Sequence, residues 1–186
     1  NQEGRPMRYI ALLRGINVGG NNKIAMSELK RCFLDAGFSH VETYINSGNV
    51  LFDGDLDDES TLRKMCETLI KDHFGFSVAV ALVKAESLGI MLENAPEWWG
   101  KVTSCKHNAI FVIQPYSALK IMEEVGQTKP EYEKVHAVES MIFWSAPIET
   151  FSKTRWAKIV GTKAYHKITI RNANTVFKLL ELVSTP

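Results

Sequence analysis

The chain has 186 residues, 45% of them hydrophobic and 23% charged, and its formal net charge is +1. A chain of this length and composition buries enough surface to fold without a metal or a disulfide. Its apolar tracts are too short to cross a bilayer, so we expect neither a membrane-spanning helix nor a membrane partner.

The polar stretch at residues 1–6 has no apolar core and does not resemble a targeting signal, so we expect Met7 to be the native start. From there the first half, residues 7–94, has the hydrophobic patterning of a β-α-β-β-α-β unit. The predicted elements, in chain order, are a strand at 7–13, a helix capped by Ser27 and ended by Gly37, a hairpin of strands at 40–45 and 50–53, a helix with Leu62, Met65, Cys66, Leu69 and Ile70 on one face, a strand at 76–83 and a helix at 85–94.

Residues 95–106 are rich in Pro, Gly and polar side chains, which indicates a linker. The same order then begins again in a second half, residues 107–186. The predicted elements are a strand at 108–113, a helix capped by Ser117 and ended by Gly126 with Leu119, Ile121, Met122 and Val125 inward, a hairpin of strands at 133–138 and 141–145, a short helix at 154–160, a strand at 167–171 and a terminal helix that buries Val176, Leu179, Leu180 and Val183.

The repeated order predicts an α+β fold of two ferredoxin-like halves, each with helices on one face of an antiparallel sheet, plus a C-terminal helix. Within each half we expect the first and third strands to be adjacent and parallel. On that expectation the loop after the first strand and the Asn-Ser-Gly-Asn turn at 46–49 lie at opposite ends of the sheet. The composition of that turn favours ordinary turn chemistry.

Residues 14–23, here called the glycine loop, contain three glycines and three asparagines between two basic residues. Gly15 and Gly20 have the spacing of a P-loop, but Asn21 and Asn22 stand where that motif requires Lys and Ser or Thr, which excludes a Walker nucleotidase. Two interpretations stay open. The loop either turns backbone N–H groups toward one anion or only connects a strand to a helix through positive φ angles.

A second polar cluster, at residues 169–175, precedes the terminal helix. Asn172 or Asn174 can cap this helix, and Arg171 stands beside its N-terminus, an arrangement that suits a phosphate or a carboxylate. The charge distribution agrees, because residues 153–186 carry seven Lys or Arg and one Glu. A basic surface of this kind faces an anion or simply solvent.

The cysteines and histidines form no recognisable site in the sequence. Cys32, Cys66 and Cys105 match neither a zinc signature nor a disulfide framework, so we predict no metal, no cofactor and a reducing, cytoplasmic setting. The five histidines are far apart and no local Ser or Cys nucleophile motif accompanies them. A catalytic triad would therefore have to assemble through tertiary contacts.

Tryptophan provides the aromatic candidates for stacking. Trp156 lies among Lys153, Arg155 and Lys158, a pattern that suits single-stranded nucleic acid. Trp98 and Trp99 are better explained by packing between the halves. Neither half has an aromatic pair of the kind that an RNA-recognition motif carries on its strands.

The chain resembles a bacterial family catalogued as domain of unknown function 1697. Three stretches carry the resemblance: ALLRGINVGGNNKIAMSEL, YINSGNVLF and IRNANTVFKLLEL. In the third, the family pattern looks like Arg-Asn-Trp-Asn-Thr, whereas this chain has Ala173. The resemblance implies a two-part α+β fold similar to duplicated ferredoxin-like units, and it implies no activity.

From these features we expect a binding module for a small phosphorylated or other anionic ligand at the junction of the halves. An enzyme acting on a small polar substrate, with a titratable group such as His166 in a pocket, and a nucleic-acid-binding module are the alternatives. A protein-partner module is a third. The sequence predicts neither a catalytic residue nor an oligomeric state. The predicted ligand-binding residues are Arg14, Gly15, Asn17, Gly19, Gly20, Asn21, Lys23, Arg171, Asn172 and Asn174.

Overall fold

A computed structural model describes residues 7–55 and 58–184 of the chain. The chain divides into two compact units, one built from described residues between 7 and 88 together with 183–184, and the other from residues 89–182. The expectation about the segment before Met7 lies outside the described residues. Within them, no helix combines the length and apolarity that crossing a membrane requires.

The first unit contains one four-stranded antiparallel sheet, with the strand order β2-β3-β1-β4. This is the order expected of a ferredoxin-like unit. Its elements are β1 (Met7–Leu13), α1 (Met26–Asp35), β2 (Ser39–Tyr44), β3 (Asn49–Gly54), α2 (Glu59–Phe74) and β4 (Val80–Lys84), after which α3 (Ala85–Glu93) spans the boundary with the second unit.

Alternating strand residues and the apolar helix faces form the core of this unit. Tyr9 on β1 and Phe52 on β3 stack with their ring centroids 5.7 Å apart, and Phe33 of α1 packs on Phe52 at 5.2 Å. Cys66 and Ile70 of α2 complete the cluster and are fully buried. Residues two apart on the strands and three or four apart on the helices therefore face each other and pack in one core.

Two details of the predicted helices are wrong. Helix α1 begins at Met26 after an extended Ala25, so Ser27 lies inside its first turn and is not the cap. In α2, Met65 is 39% exposed because the buried stripe follows Leu62, Cys66 and Ile70.

The predicted end of α1 is confirmed, whereas the predicted start of β4 is wrong. Gly37, at φ +99°, ends α1 as predicted, with Gly37 N–H donating to Leu34 O and Phe38 N–H to Phe33 O. Strand β4 starts at Val80 and not at residue 76.

The expected parallel pairing of the first and third strands is also wrong. Strands β1 and β3 are antiparallel, with Leu12 opposite Asn49. The end of β1 therefore meets the beginning of β3, and the glycine loop and the turn at 46–49 lie at the same end of the sheet. The physical reason is that the helix returns the chain before β2, and the hairpin then reverses it again before β3.

The second unit repeats the sheet with the order β6-β7-β5-β8, again antiparallel throughout. Its elements are β5 (Cys105–Val112), α4 (Ala118–Val125), β6 (Lys134–Val138), β7 (Met141–Pro147), three 3₁₀ helices (Phe151–Lys153, Trp156–Gly161 and Lys163–Lys167), β8 (Ile168–Asn172) and α5 (Ala173–Ser184). The two sheets confirm the predicted α+β fold with two ferredoxin-like halves and a C-terminal helix.

The short helix predicted at 154–160 is instead 3₁₀ in character. Its bonds include Lys158 N–H to Arg155 O and Thr162 N–H to Ile159 O, and three residues per turn bring Trp156 and Ile159 to one side, where both are buried.

Helix α4 agrees with the prediction at both ends but not along its whole face. Ser117 caps it by accepting from Lys120 N–H, and Gly126 ends it. Leu119, predicted to point inward, is 74% exposed.

The terminal helix α5 buries part of the predicted stripe. Val176 and Leu179 are buried as predicted, whereas Leu180 and Val183 are only half-buried. Ala173 and Thr175, in the first turn, are buried instead.

Candidate functional site

The glycine loop folds back on itself as a narrow projection. Asn17 N–H donates to Asn22 O at 3.1 Å, and Asn21 N–H donates to Val18 O at 3.0 Å. Gly19 and Gly20, the two residues between Val18 and Asn21, have φ angles of +58° and +78°. Two consecutive positive φ angles are the requirement of a two-residue hairpin turn, so the paired glycines reverse the chain direction here.

The side chain of Asn17 connects this loop to the rest of the sheet end. Its Oδ1 accepts from Ile24 N–H at 2.9 Å, while its Nδ2 donates to Ile24 O at 3.0 Å and to Asn46 O at 2.9 Å. Asn22 Nδ2 donates to Gly15 O at 3.2 Å. Two of the loop's three asparagines therefore make structural hydrogen bonds within the first unit.

The turn at 46–49 makes the contacts of a structural turn. Asn49 is fully buried, and its Nδ2 donates to Tyr44 O at 2.8 Å and to Ser47 Oγ at 3.1 Å. Gly48 accepts at its carbonyl from Leu13 N–H and has φ +89°. These bonds hold the start of β3 against the end of β1.

The polar cluster at the start of α5 belongs to the second unit. Asn172 Oδ1 accepts from Thr175 N–H at 2.8 Å, so Asn172 caps the helix as the sequence suggested. Asn174 is exposed in the first helical turn. Arg171 is 6% exposed and donates from one guanidinium nitrogen to Thr169 Oγ1 at 2.7 Å and to Ile170 O at 3.0 Å. Burial lowers the pKa of Arg171 to about 10.

A cleft of about 600 Å³, here called the α5 cleft, opens at the N-terminus of this helix. Asn172 and Asn174 lie on its wall together with Lys101, Lys106 and His107. Both lysines are exposed, and Lys106 Nζ lies 4.4 Å from the ring centroid of Phe151, which also lines the cleft. Backbone amide groups in the first turn of a helix have no partner inside the helix, so this wall combines amide donors with two ammonium groups.

His107 is held at both ring nitrogens. Its Nε2 lies 2.8 Å from Val102 O, and its Nδ1 lies 2.6 Å from Ser145 Oγ. A carbonyl oxygen only accepts, so the ring proton of the neutral imidazole is at Nε2 and Nδ1 accepts from the serine hydroxyl. The tertiary structure thus joins a histidine to a serine 38 residues away in the sequence.

The tryptophans are used differently from the prediction. Trp156 is fully buried, with its ring centroid 6.5 Å from that of Trp144, so its ring has no exposed face for a nucleobase. Trp99 is buried within the second unit, where it packs on Phe143 and Phe177 and donates from Nε1 to Asn108 O at 2.8 Å.

The remaining thiols and carboxylates form no metal site within the described part of the chain. All three cysteines are free thiols. Burial raises the pKa of Cys66 to about 12, with the charge of Glu67 and then Cys32 adding to the effect, and it also raises the pKa of Cys32.

The predicted site residues fall into two separate groups. Those of the glycine loop belong to the first unit, and Arg171, Asn172 and Asn174 belong to the second. The sequence interpretation missed Lys101 and Lys106, because the composition of 95–106 indicates a linker, and it missed His107, because no nucleophile motif accompanies that histidine in the sequence. The sequence feature that could have indicated this wall is a pair of lysines close to a histidine at the start of a strand.

Comparisons with known proteins agree with the fold and name no activity. A solved structure described as "The structure of conserved bacterial protein SP0830 from Streptococcus pneumoniae" superposes with a TM-score of 0.86 at 32% sequence identity, over 96% of this chain and 99% of that chain. No curated protein matches the chain. A family model described as "Protein of unknown function (DUF1697)" matches residues 7–143, a range that contains the first two of the three resembling stretches. The chain therefore belongs to the DUF1697 family.

Proposed function

We propose that the protein binds a small phosphorylated or other anionic ligand in the α5 cleft. The observation that carries this proposal is the composition of the cleft wall, which has two lysines and the capped start of a helix. Among the described residues that line the cleft there is no Asp or Glu. The first turn of α5 also contains no acidic residue.

The electrostatics of this wall favour an anion. The N-terminus of a helix carries a partial positive charge, and an anion placed there gains about 0.3–1 kcal/mol at an exposed site. The ammonium groups of Lys101 and Lys106 add charge-assisted hydrogen bonds, which are stronger than neutral ones. A volume of about 600 Å³ is in the range of sites for small metabolites.

The nucleic-acid alternative loses its stacking side chain, because Trp156 is buried, and it then depends on the basic residues of 153–186 alone. The enzyme alternative gains a supporting feature, because the titratable side chain of His107 lines the same cleft beside Asn172 and Asn174. A cytoplasmic location stays part of the proposal, since three free thiols suit a reducing compartment.

The test is isothermal titration with inorganic phosphate, pyrophosphate, a sugar phosphate and a nucleotide. The double variant Lys101→Ala, Lys106→Ala removes both ammonium groups from the cleft, and we expect at least a tenfold loss of affinity. The matched control is Lys120→Ala, Lys163→Ala, which removes two exposed lysines that do not line it. Failure of all four anions to bind, or equal affinity in the two double variants, would refute the proposal.

The residues of the glycine loop remain a separate prediction for the first unit. Arg14 and Lys23 are the first and last residues of the loop, and its glycine turn is exposed at Gly19 and Gly20. If this loop binds an anion of its own, Lys23→Ala lowers the affinity for that anion. If the loop only reverses the chain, as its internal hydrogen bonds favour, Lys23→Ala binds all four anions like the unaltered protein.

A further inference from the structure

We propose that Ser145 is a nucleophile activated by His107, and that it accepts the acyl group of a small ester that carries a negative charge. This inference rests on the proposed function, because the α5 cleft would hold the charged end of the ester. The carboxylic ester is the chemical class that a serine and a neutral histidine attack together.

The two side chains are a cross-strand pair in the sheet. His107 on β5 stands directly opposite Ser145 on β7, so both side chains point to the same face. The distance of 2.6 Å from Ser145 Oγ to His107 Nδ1 is within the range that transfer of the hydroxyl proton requires.

A third group orients the histidine, as the nucleophile and base of such a pair require. Val102 O accepts the Nε2 proton at 2.8 Å and so fixes both the ring plane and the tautomer. The lone pair of Nδ1 is thereby directed at Ser145 Oγ. When the ring takes the serine proton, Val102 O keeps the Nε2–H bond and stabilises the imidazolium.

Ser145 is not among the residues that line the α5 cleft, so the acyl group would have to reach its hydroxyl past the His107 ring. Ser145 is 6% exposed, while the His107 ring to which its hydroxyl is bonded is half-buried and lines the α5 cleft. A substrate whose charged end is held by Lys101 would therefore have its ester group beside His107, whereas Lys106, the preceding residue of β5, points to the other face of the sheet. The burial of Ser145 restricts the reaction to small acyl groups.

The reaction balances with water as the only co-reactant. Ser145 Oγ bonds to the carbonyl carbon while its proton passes to His107 Nδ1. Collapse of the tetrahedral adduct breaks the bond from carbon to the alcohol oxygen, and that oxygen leaves with the proton from Nδ1. Water, deprotonated by His107, then attacks the acyl-serine, releases the carboxylic acid and returns the proton to Ser145.

The experiment treats the full chain with a fluorophosphonate, which forms a stable adduct with activated serines. We expect one adduct by intact mass, located at Ser145 by peptide mapping of the unaltered protein, so the assignment does not depend on any variant folding. His107→Gln should slow labelling at least 100-fold. Ser104→Ala, which removes an exposed serine from the same unit, should label like the unaltered protein.

Two outcomes would overturn the inference: no adduct on the unaltered protein, or an adduct at another residue. Hydrolysis of a nitrophenyl hemisuccinate and of the uncharged nitrophenyl acetate tests the substrate class. We expect the charged ester to react at least tenfold faster, and an equal rate for both esters refutes the anionic substrate. Titration of the unaltered protein with phosphate accompanies the labelling, so failure of the nucleophile is distinguishable from failure of the anion site.

Discussion

Among the described glycines, Gly48 is the one at which an added Cβ would make the shortest contact. Its φ is +89°, and a Cβ built on it would lie 2.6 Å from Ile16 Cδ1 and 3.0 Å from Leu13 Cβ. Any other residue would meet both backbone strain and a steric clash, because Ile16 and Leu13 are buried and have little room to move.

We predict that Gly48→Ala lowers the free energy of unfolding by roughly 2–4 kcal/mol, the sum of a left-handed backbone penalty and overpacking. The control is Gly75→Ala, whose φ of +84° is similar but whose Cβ would contact nothing within 4 Å. That variant should lose only about 1–2 kcal/mol. Urea denaturation measures both, and equal losses would show that the contact with Ile16 does not matter.

Buried thiols are the second feature at the residue scale. At pH 8 a group with a pKa of about 12 is ionised to about one part in ten thousand, so Cys66 is both inaccessible and protonated. We predict that a thiol-specific disulfide reagent modifies Cys105, which is half-buried, in the native protein, and modifies all three cysteines only in denaturant. Rapid modification of Cys32 or Cys66 in the native protein contradicts this prediction.

At the scale of elements, the side chain of Asn17 joins the glycine loop to the turn before β3. Asn17→Gly keeps the positive φ of 55° available while it removes three hydrogen bonds. We expect a loss of about 2 kcal/mol in unfolding free energy, since two carbonyls and one amide lose a partner. Asn21→Gly removes an exposed amide from the same loop and should change stability by less than about 0.5 kcal/mol. Similar effects of the two variants in thermal unfolding would argue against Asn17 as the connection.

Glu133 performs the corresponding function in the second unit, where it anchors the 3₁₀ segment. This carboxylate is 5% exposed and accepts from three backbone N–H groups, those of Lys129, Arg155 and Trp156, at 3.0, 2.7 and 3.1 Å. The second 3₁₀ helix, Trp156–Gly161, starts where it does because the carboxylate binds the N–H groups of Arg155 and Trp156. Local helix propensity alone would not fix this start.

We predict that Glu133→Ala destabilises the protein by roughly 3 kcal/mol, because the amides that it leaves are largely shielded from water. Glu131→Ala, two residues earlier and exposed, should have an effect below about 0.5 kcal/mol. Chemical denaturation gives both values. A mild effect of Glu133→Ala would mean that water replaces the carboxylate, and the 3₁₀ segment would then not depend on it.

At the scale of the whole molecule, the basic segment at 153–186 is the remaining candidate for a nucleic-acid surface. Lys153, Lys158 and their neighbours could track a phosphate backbone, but the buried Trp156 offers no stacking platform. We predict that binding of a short oligonucleotide is weak and that the small anion's affinity depends only shallowly on salt. Lys153→Glu together with Lys158→Glu should leave phosphate affinity nearly unchanged.

Gel-shift titrations at two salt concentrations measure the affinity for the oligonucleotide and its dependence on salt. A log–log slope near −0.7 for each single-strand phosphate contacted, abolished by the double reversal, would instead establish a nucleic-acid surface.

Hydrophobic periodicity, together with the residues that cap and end helices, was enough to predict most of the fold. The strand at 7–13 is found with the predicted bounds, the hairpins lie within one or two residues of their predicted positions, and Gly37, Ser117 and Gly126 end or cap the helices they were assigned to. These features depend on residues that are neighbours along the chain. The first strand pairing was wrong because strand direction depends on the path of the whole unit and not on any local pattern.

The sequence by itself determined the class of fold and the membership of the family, because both depend on local spacing or on stretches that resemble the family, and it narrowed the cap of the last helix to Asn172 or Asn174. Only the tertiary structure decided where the polar groups act. It directed Asn17 to the backbone, buried Trp156 and Arg171, and brought His107 to Ser145 and to the wall of the α5 cleft. The physical reason is that hydrogen-bond partners and burial are set by which strands become neighbours. His107 and Ser145 are 38 residues apart in the chain and become cross-strand neighbours only when the sheet forms.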